Sequence, residues 1–157
     1  MEDADAIARV HVASWGAAYA EIVPPELIAA RTLDVRRRQW REMLADSDAW
    51  ATLVAELGGE VAGVSTFEAP GHREPPEEAE VRIFYVHPAY WRRGVGRALM
   101  AATLDALRAD GVTRAVLWVM TENALGRAFY EALGWFPDGR EGDWEGVPTV
   151  RYAKPLA

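Results

Sequence analysis

The chain has 157 residues, of which 50% are apolar, and its formal net charge is -7. This length and apolar share are enough for one hydrophobic core, so we expect a single domain over residues 1–157. No apolar run reaches the length of about 18 residues that a membrane span requires. The start, MEDADAIARV, lacks the basic and apolar segments of a secretory signal. The expected location is therefore the cytoplasm, without a membrane partner.

Charge and residue types exclude several functions. A net negative charge without a basic stripe would repel a phosphate backbone, so we predict no nucleic-acid partner. The sequence has no cysteine, which excludes a disulfide framework, a thiolate zinc site and a cysteine nucleophile. His11 and His72 have no partner at the spacing of metal ligands, so we predict no metal site. Any catalysis must use other groups.

Two helices and a hairpin are predicted in the first half of the chain. Apolar residues recur at helical spacing over 3–18, and IVPPEL then breaks the pattern, so the first helix should end near Tyr19. A second helix is expected to begin at Asp34, acting as N-cap, with the arginines 36–38 on its solvent face. ATLVAEL and EVAGVSTFE flank a two-glycine turn and predict a β-hairpin. The proline-rich APGHREPPEE that follows is expected to be a mobile loop.

The second half alternates strands and helices. AEVRIFYV and TRAVLWVM have strand character, whereas GVGRALMAATLDALRAD and NALGRAFYEAL have helical spacing. Gly111 and Gly134 follow the two helices, where a left-handed cap is needed. Short strands over 135–138 and 147–153 complete the chain. A hairpin that leads into a β-α-β-α unit predicts a single α/β domain with a mixed central sheet flanked by helices.

The segment WRRGVGRALM indicates an anion site. Gly94 and Gly96 lack a Cβ, so backbone N–H groups can converge on one guest. These N–H groups are also the unpaired donors of a helix beginning near Val95, whose dipole places about half a positive charge there. The three arginines of the segment either strengthen a phosphate site or face solvent. The residues expected to contact the anion are Arg92, Arg93, Gly94, Val95, Gly96, Arg97 and Ala98.

Three phosphate-binding motifs compete for this turn. A Walker loop requires a Gly-Lys pair, and none occurs in the chain. A dinucleotide fingerprint requires a third glycine or alanine where this chain has Leu99, and an acidic residue where it has Met120. The diphosphate arm of coenzyme A is the remaining candidate.

IFYVHPAYWRRGVGRALM followed by LWVMTENALGRAFYEALGW resembles the Gcn5-related N-acetyltransferase (GNAT) family. In that family the loop reads Gln or Arg, two variable residues, Gly, one residue, then Gly or Ala. Gly94 and Gly96 match this pattern, whereas Trp91 does not. Asn123 with Tyr130 seven residues later is the second match. The resemblance implies a GNAT-like fold with acetyl-CoA as co-substrate. The family normally begins with a β-strand before the first helix, and this chain starts almost inside that helix, so the presence of the first strand is an open question.

The resemblance assigns acid–base chemistry to two residues. An alkylamine has a pKa near ~10.4 and is mostly protonated at pH 7, so acetyl transfer needs a base. Glu80 resembles the family's base, with a surface glutamate as the alternative. Tyr130 resembles the tyrosine that protonates the leaving thiolate, with a core aromatic as the alternative. Strand alternation predicts one face for Glu80, Arg82, Phe84 and Val86. Arg82 could therefore pair with Glu80 and lower its basicity.

Further groups complete the expected site. The backbone N–H of Val86, free where Pro88 interrupts the ladder, is expected to polarise the thioester oxygen. Asn123 is expected to bind the pantetheine amides, to cap its helix, or both. Trp15 and Tyr19 lie one helical turn apart and are expected to hold a cationic acceptor over their rings, with core packing as the alternative for Trp15.

The resemblance thus implies an acetyl-CoA-dependent N-acetyltransferase that acetylates a primary amine of a small molecule by direct attack. Two alternatives remain open. One is an acetyltransferase acting on protein N-termini or lysines, and the other is a non-catalytic acyl-CoA sensor that needs Asn123 but not Tyr130. His87 is the less favoured base, because VHP at a strand end more often serves a turn. Homodimers are common among proteins resembling this one, but no residue of the sequence establishes a contact surface.

Overall fold

The computed structural model describes residues 2–46 and 48–156, so both ends of the predicted domain, residues 1 and 157, lie outside the description. The described residues form a mixed six-stranded sheet in the order β1-β2-β3-β4-β6-β5, and among these strands only β3 and β4 pair in parallel. This confirms the predicted α/β fold. The elements are α1 Glu2–Tyr19, α2 Pro25–Ala29, α3 Leu33–Ala45, β1 Trp50–Leu57, β2 Glu60–Glu68, β3 Glu78–Val86, a 3-10 turn Pro88–Tyr90, α4 Val95–Ala109, β4 Arg114–Met120, α5 Ala124–Ala132, β5 Phe136–Trp144 and β6 Val147–Pro155.

The first part of the described chain is helical, and its helix boundaries differ in detail from the prediction. Within the described residues, β1 is the first strand and follows three helices, so no strand precedes α1 there. The helix α3 starts at Leu33, not after Asp34, because the Thr32 hydroxyl accepts a hydrogen bond from the Val35 N–H at 3.3 Å. Asp34 instead lies in the first turn, where a carboxylate favours the helix dipole. The short α2 was not predicted, although Pro25 at its first position is a helix-start signal.

The loop between β2 and β3 is anchored, contrary to the mobile loop predicted. Arg73 lies at its centre and is buried. The Arg73 guanidinium donates to the Glu68 carbonyl at 2.7 and 3.0 Å and pairs with Asp110 at 2.9 Å. A buried arginine needs such partners to offset the loss of water. The loop is therefore tied to the end of β2 and to the C-terminus of α4.

A β-bulge in β3 changes which residues share a face. Thr66 lies opposite Ile83, but the next residue of β2, Phe67, lies opposite Val81, so Arg82 is an extra residue in β3. Val81 packs in the cluster on the α4 side of the sheet, whereas Ile83 packs in the cluster under α1. The strand therefore exchanges its inward and outward positions at Arg82.

The predicted single face for Glu80, Arg82, Phe84 and Val86 is wrong for this reason. Phe84 packs against the cluster on the α4 side. Glu80 precedes the bulge and alternates with Val81, so it lies on the α1 side. Alternation over the whole strand cannot be assumed once a bulge intervenes.

The parallel strands β3 and β4 separate soon after they meet. They pair only where Glu78, Ala79 and Glu80 lie opposite Arg114, Ala115 and Val116. Beyond this point β3 stays with β2 and β4 stays with β6. The two strands therefore leave a wedge in the middle of the sheet, and the candidate site lies in this wedge.

The buried His11 joins α1 to α3 and should make stability depend on pH. Its Nδ1 accepts a hydrogen bond from the Trp40 indole N–H at 3.0 Å, and its ring stacks on Tyr85 at 4.6 Å between centroids. Burial, with the charges of Arg36 and Arg31, lowers the pKa of His11 from 6.5 to about 3. Since only the unfolded chain takes up this proton between those values, the stabilisation is complete above pH 6.5 and is lost as pH falls towards 3.

We expect the free energy of unfolding to fall by about 2 kcal/mol more between pH 7 and pH 5 in the wild type than in His11→Gln. The measurement is urea unfolding at each pH. His72 is exposed in the loop before β3, so His72→Gln is the control and should keep the wild-type dependence. Equal pH dependence in the wild type and His11→Gln would contradict the assignment.

Candidate active site

The glycine turn forms the N-terminus of α4 as predicted. Gly94 is the N-cap, with φ of +82°, and a Cβ built there would have no heavy atom within 4 Å. The outer side of the turn is therefore open. The first helical bond runs from the Ala98 N–H to the Gly94 carbonyl at 3.0 Å. The N–H groups of the three residues before Ala98 thus have no helical acceptor and suit an anion.

Gly96 is required for packing between two helices. A Cβ at this position would lie 3.2 Å from two ring carbons of Phe129 on α5. Such a contact is tighter than ordinary van der Waals separation, so a side chain here would push α5 away from α4. Gly96 also lines the larger cavity described below. Its role is therefore broader than the backbone turn that the sequence predicted.

The arginines of the turn carry charge that the described part of the chain does not neutralise. Arg92, Arg93 and Arg97 are exposed, and none forms an ion pair with the described residues. Arg92 also has a left-handed φ of +59°, a strained conformation for a residue with a side chain. Of the seven residues predicted to contact an anion, four line the larger cavity: Arg92, Gly94, Gly96 and Arg97. Arg93, Val95 and Ala98 do not.

Two cavities meet in the wedge between β3 and β4. The larger has a volume of about 340 Å³ and reaches from the wedge to the glycine turn. The smaller has a volume of about 40 Å³ and is bounded by Arg82 and Trp118. The residues lining both cavities are Tyr19, Phe84, Tyr85, Asn123 and Tyr130. A group bound in one cavity can therefore reach a group bound in the other at these residues.

The backbone of β3 supplies amide donors at this junction. The His87 N–H donates to the Ala62 carbonyl of β2 at 2.8 Å, and Gly63 lies opposite Val86. In an antiparallel pair the bonding direction alternates, so the N–H groups of Phe84 and Val86 point away from β2 and into the wedge. The predicted availability of the Val86 amide thus follows from the divergence of β4, not from Pro88.

Trp91 holds the end of β3, a contact that the sequence did not reveal. Its indole N–H donates to the Val86 carbonyl at 2.7 Å, and the Ser14 hydroxyl donates to the same carbonyl at 2.9 Å. Both side chains line the larger cavity. Trp91 stands where the family has a polar residue, and it fixes the peptide next to the Val86 amide. In the sequence, Trp91 was visible only as a departure from the family pattern, and its partner Val86 could not be inferred from that.

Tyr130 presents a neutral phenol to both cavities. Its ring packs edge-on against Phe84 and Trp135, with centroid distances of 6.4 and 6.1 Å. Burial, with a smaller contribution from Tyr85, raises the pKa of Tyr130. No hydrogen bond within the described residues involves the Tyr130 hydroxyl, which leaves its proton available for transfer. These features fit the predicted acid better than the alternative of a purely structural aromatic.

Asn123 both caps α5 and faces the junction. Its Oδ1 accepts a hydrogen bond from the Gly126 N–H at 2.9 Å, as predicted for a cap. Its side-chain nitrogen would lie 2.5 Å from a Cβ on Gly126. A side chain at position 126 would therefore require the Asn123 amide to shift. His87 likewise has a turn role, since its Nδ1 accepts from the Ala89 N–H at 3.1 Å.

Glu80 lies on the α1 side of the sheet, where β3 and β4 are still paired and four residues before Phe84 of the junction. Burial and the neighbouring Glu68 raise the pKa of Glu80, and this outweighs the opposing charges of Arg82 and Arg151. The alternative that Arg82 pairs with Glu80 is not realised, because no ion pair joins them among the described side chains. Glu80 lines neither cavity, although the adjacent Val81 lines the smaller one.

The aromatic pair of α1 divides into a core residue and a lining residue. Trp15 is buried, donates from its indole N–H to the Tyr85 hydroxyl at 3.0 Å, and lines neither cavity. The guanidinium groups of Arg31 and Arg36 already lie over its ring, at 5.5 and 5.3 Å from the centroid. Trp15 therefore fits the core alternative, whereas Tyr19 lines both cavities. Arg36 does not simply face solvent, contrary to the prediction for the arginine cluster.

The fold and the site define a class of protein. A glycine turn at a helix N-terminus, beside two parallel strands that diverge, is suited to hold a diphosphate and to present its attached arm within the sheet. The model of the acetyltransferase (GNAT) family matches residues 15–135. The chain belongs to this family, whose co-substrate is acetyl-CoA.

The similar proteins of known sequence carry the names of different acetyltransferases. The chain is 27% identical over 132 residues to the uncharacterised N-acetyltransferase YuaI of Bacillus subtilis, covering 84% of this chain and 74% of YuaI. It is 39% identical over 80 residues to the N-alpha-acetyltransferase RimI of Mycobacterium tuberculosis, covering 51% of this chain and 48% of RimI. It is 33% identical to the mycothiol acetyltransferase of Amycolatopsis mediterranei, covering 85% of this chain and 42% of that protein. The chain thus spans less than half of the last two relatives.

Solved structures show the same fold. The PaiA N-acetyltransferase of Thermoplasma acidophilum, in complex with coenzyme A, superposes with a TM-score of 0.78 at 19% identity, over 98% of this chain and 93% of that one. A putative acetyltransferase from Salmonella typhimurium, with its cofactor acetyl-CoA, gives a TM-score of 0.69 at 20% identity, over 99% and 90% of the two chains. Within residues 2–46 and 48–156, no helix is long and apolar enough to cross a bilayer. The same residues contain no cluster of three or more side chains suited to a metal ion.

Proposed function

We propose that this chain transfers the acetyl group of acetyl-CoA to a primary amine of a small molecule by direct attack. The observation that carries the proposal is the meeting of the two cavities at Tyr130. The larger cavity leads to the glycine turn, and the smaller leads to the opposite rim of the wedge. Coenzyme and acceptor can thus approach one point from two sides, which direct transfer requires.

The residues of the turn would hold the coenzyme. The unpaired N–H groups at the start of α4, with Arg92 and Arg97, supply donors and positive charge for its diphosphate. The amides of Phe84 and Val86 would receive the pantetheine arm and polarise the thioester oxygen. Asn123 adds side-chain amide donors at the same junction.

Two side chains would move protons. Glu80 takes a proton from the incoming ammonium group, directly or through water, and the amine nitrogen then forms a bond to the acetyl carbon. The carbon–sulfur bond breaks as negative charge returns to the sulfur. Tyr130 donates its proton to that thiolate, and solvent then reprotonates the phenolate. The nitrogen, now bonded to the acetyl carbon, gives its second proton to water, and Glu80 returns the first proton to solvent. An ammonium group and acetyl-CoA thus yield an amide, free coenzyme A and one proton.

A small acceptor is favoured by the size of the smaller cavity, about 40 Å³. An acceptor on a protein N-terminus is the second candidate, because the relative named RimI is an N-alpha-acetyltransferase. We also propose that the chain acts as a single domain in the cytoplasm, without a nucleic-acid partner. Incubation with acetyl-CoA and panels of amines and peptides, followed by thiol release and mass spectrometry, tests the function. Coenzyme binding without acetylation of any amine or peptide would indicate the sensor alternative.

The pH dependence of kcat/KM tests Glu80 as the base. In the wild type, kcat/KM should be flat between the raised pKa of Glu80 and the pKa of the amine, because Glu80 accepts the ammonium proton. It should fall as pH drops through the pKa of Glu80. In Glu80→Gln the amine must arrive neutral, so log kcat/KM should rise with unit slope up to the amine pKa. Glu56→Gln, on the edge strand β1, is the control. Identical profiles for wild type and Glu80→Gln would remove Glu80 from this role.

A further inference from the structure

The rim of the smaller cavity carries an unneutralised arginine. Arg82, the bulged residue of β3, is exposed and is one of the residues that line this cavity, as is Trp118. Its guanidinium lies 4.8 Å from the centroid of the Trp50 ring. It forms no ion pair or hydrogen bond with the part of the chain that the structure describes. Stacking on an indole restrains a guanidinium while leaving its N–H groups free for a planar anion.

The other arginines on this part of the sheet are occupied. Arg114 pairs with Glu78 and Asp138 at 3.1 and 3.0 Å, and Arg151 pairs with the same two carboxylates. Asp138 is fully engaged by these contacts, and they hold its pKa below the ordinary value. Arg82 is thus the unneutralised guanidinium on this rim, within the described residues. In a chain of net charge -7, an unpaired cation at a cavity mouth requires an explanation.

A second cation, Arg36 on α3, lies outside both cavities, with its guanidinium over the Trp15 ring. Arg36 is half-buried, and its hydrogen bond is to the neutral Oε1 of Gln39 at 2.9 Å. Its charge acts on the hydroxyl of Tyr85, which lines both cavities. Like Arg82, it has no ion-pair partner among the described residues.

The charges of Arg82 and Glu80 act on each other, and Glu68 lies beside Glu80. The acceptor side of the wedge thus presents a guanidinium near carboxylates, which suits an acceptor that carries both an ammonium group and a carboxylate.

We infer that the acceptor is an amine that also carries a carboxylate, of the amino-acid class, and that Arg82 binds this carboxylate at the mouth of the smaller cavity. The inference rests on the proposed function and names its substrate class. Bidentate contact between a guanidinium and a carboxylate fixes orientation as well as adding affinity. Arg82 then directs the amine inwards, towards Glu80 and the junction at Tyr130.

The test uses acceptor pairs that differ only in charge. Amino acids are each compared with their carboxamides, and kcat/KM is measured for the wild type and for Arg82→Gln. For each acceptor, kcat/KM of the wild type is divided by kcat/KM of the variant, so that differences in amine pKa between the acceptors cancel. We expect Arg82→Gln to lower kcat/KM about tenfold or more for the carboxylates, through KM, and to change it less than about twofold for the carboxamides. Arg82→Lys should retain part of the preference for carboxylates over carboxamides, because lysine keeps the positive charge but cannot form the bidentate contact of a guanidinium.

Arg38→Gln is the control, since Arg38 is exposed on α3 without an ion pair to the described residues. Arg38→Gln should leave kcat/KM unchanged for both the carboxylate and the carboxamide acceptors. The inference would be overturned if Arg82→Gln lowered kcat/KM equally for carboxylates and carboxamides, or if the wild type preferred carboxamides or polyamines. Either result would leave the proposed function standing. Coenzyme binding without acetylation of any amine would instead overturn the proposed function, and the inference with it.

Discussion

Tyr130→Phe is expected to lower kcat by about 100-fold or more while the affinity for coenzyme A changes less than about twofold. The hydroxyl is the only group lost, and the ring contacts with Phe84 and Trp135 are apolar and remain. Because burial raises the pKa of Tyr130, the wild-type side chain is neutral at pH 7 and carries the proton that the thiolate needs. Thiol release under saturating substrates gives kcat, and calorimetry gives the affinity.

Tyr152→Phe is the matched control for the loss of a phenol. The Tyr152 hydroxyl donates to Glu131 at 2.6 Å and accepts from Arg127 at 2.9 Å, and the residue lines neither cavity. Its ring centroid lies 6.4 Å from that of Tyr130. We expect Tyr152→Phe to lower stability by about 1 kcal/mol and to leave kcat unchanged. A Tyr130→Phe enzyme with wild-type kcat would show that another group protonates the thiolate.

Gly94→Asp is expected to weaken coenzyme A binding by about 100-fold or more. A carboxylate at the N-cap would stand in the open space where the proposal places the diphosphate. Two like charges about 4 Å apart repel by about 4 kcal/mol near a protein surface. Aspartate at this left-handed position also adds backbone strain, which the control below matches, so the loss beyond that control belongs to binding. Calorimetric titration with coenzyme A measures the effect.

Gly59→Asp separates this loss from backbone strain. Gly59 lies in the hairpin turn between β1 and β2, has the same φ of +82°, and likewise has no heavy atom within 4 Å of a built Cβ. Both variants therefore carry the same backbone strain of a left-handed residue, of order 1–2 kcal/mol. Gly59→Asp should bind coenzyme A as the wild type does. Similar weakening in the two variants would attribute the effect to strain or net charge and not to the anion site.

Local patterns were sufficient to predict most elements of the fold. The helical spacing of α1, the glycine turn between β1 and β2, and the alternation of the second half were all visible in the sequence. The bulge at Arg82 was not, because it arises from how β3 pairs with β2. That pairing depends on residues distant in the chain. One extra residue was enough to reverse the face assigned to Glu80 relative to Phe84.

The candidate site was likewise predictable only where a single segment of the sequence determines it. The glycines and Asn123 were recognisable because their spacing along one segment is fixed by a helix N-terminus and a cap. The wedge, the two cavities and the contact of Trp91 with Val86 depend on the divergence of β3 and β4. Likewise, the spacing of Trp15 and Tyr19 does not reveal that the packing of α3 places Arg36 over the indole ring of Trp15. Residue types indicated the chemistry, whereas the approach routes required the tertiary structure.

The most direct measurement is a pair of calorimetric titrations of the unaltered chain, one with coenzyme A and one with pantetheine. Pantetheine has the same thiol arm but lacks the diphosphate. If the start of α4 binds that diphosphate, coenzyme A should bind at least about 100-fold more tightly, since several charge-assisted hydrogen bonds are lost with it. Equal affinities for the two ligands, or no heat with coenzyme A, would contradict the assignment of the glycine turn.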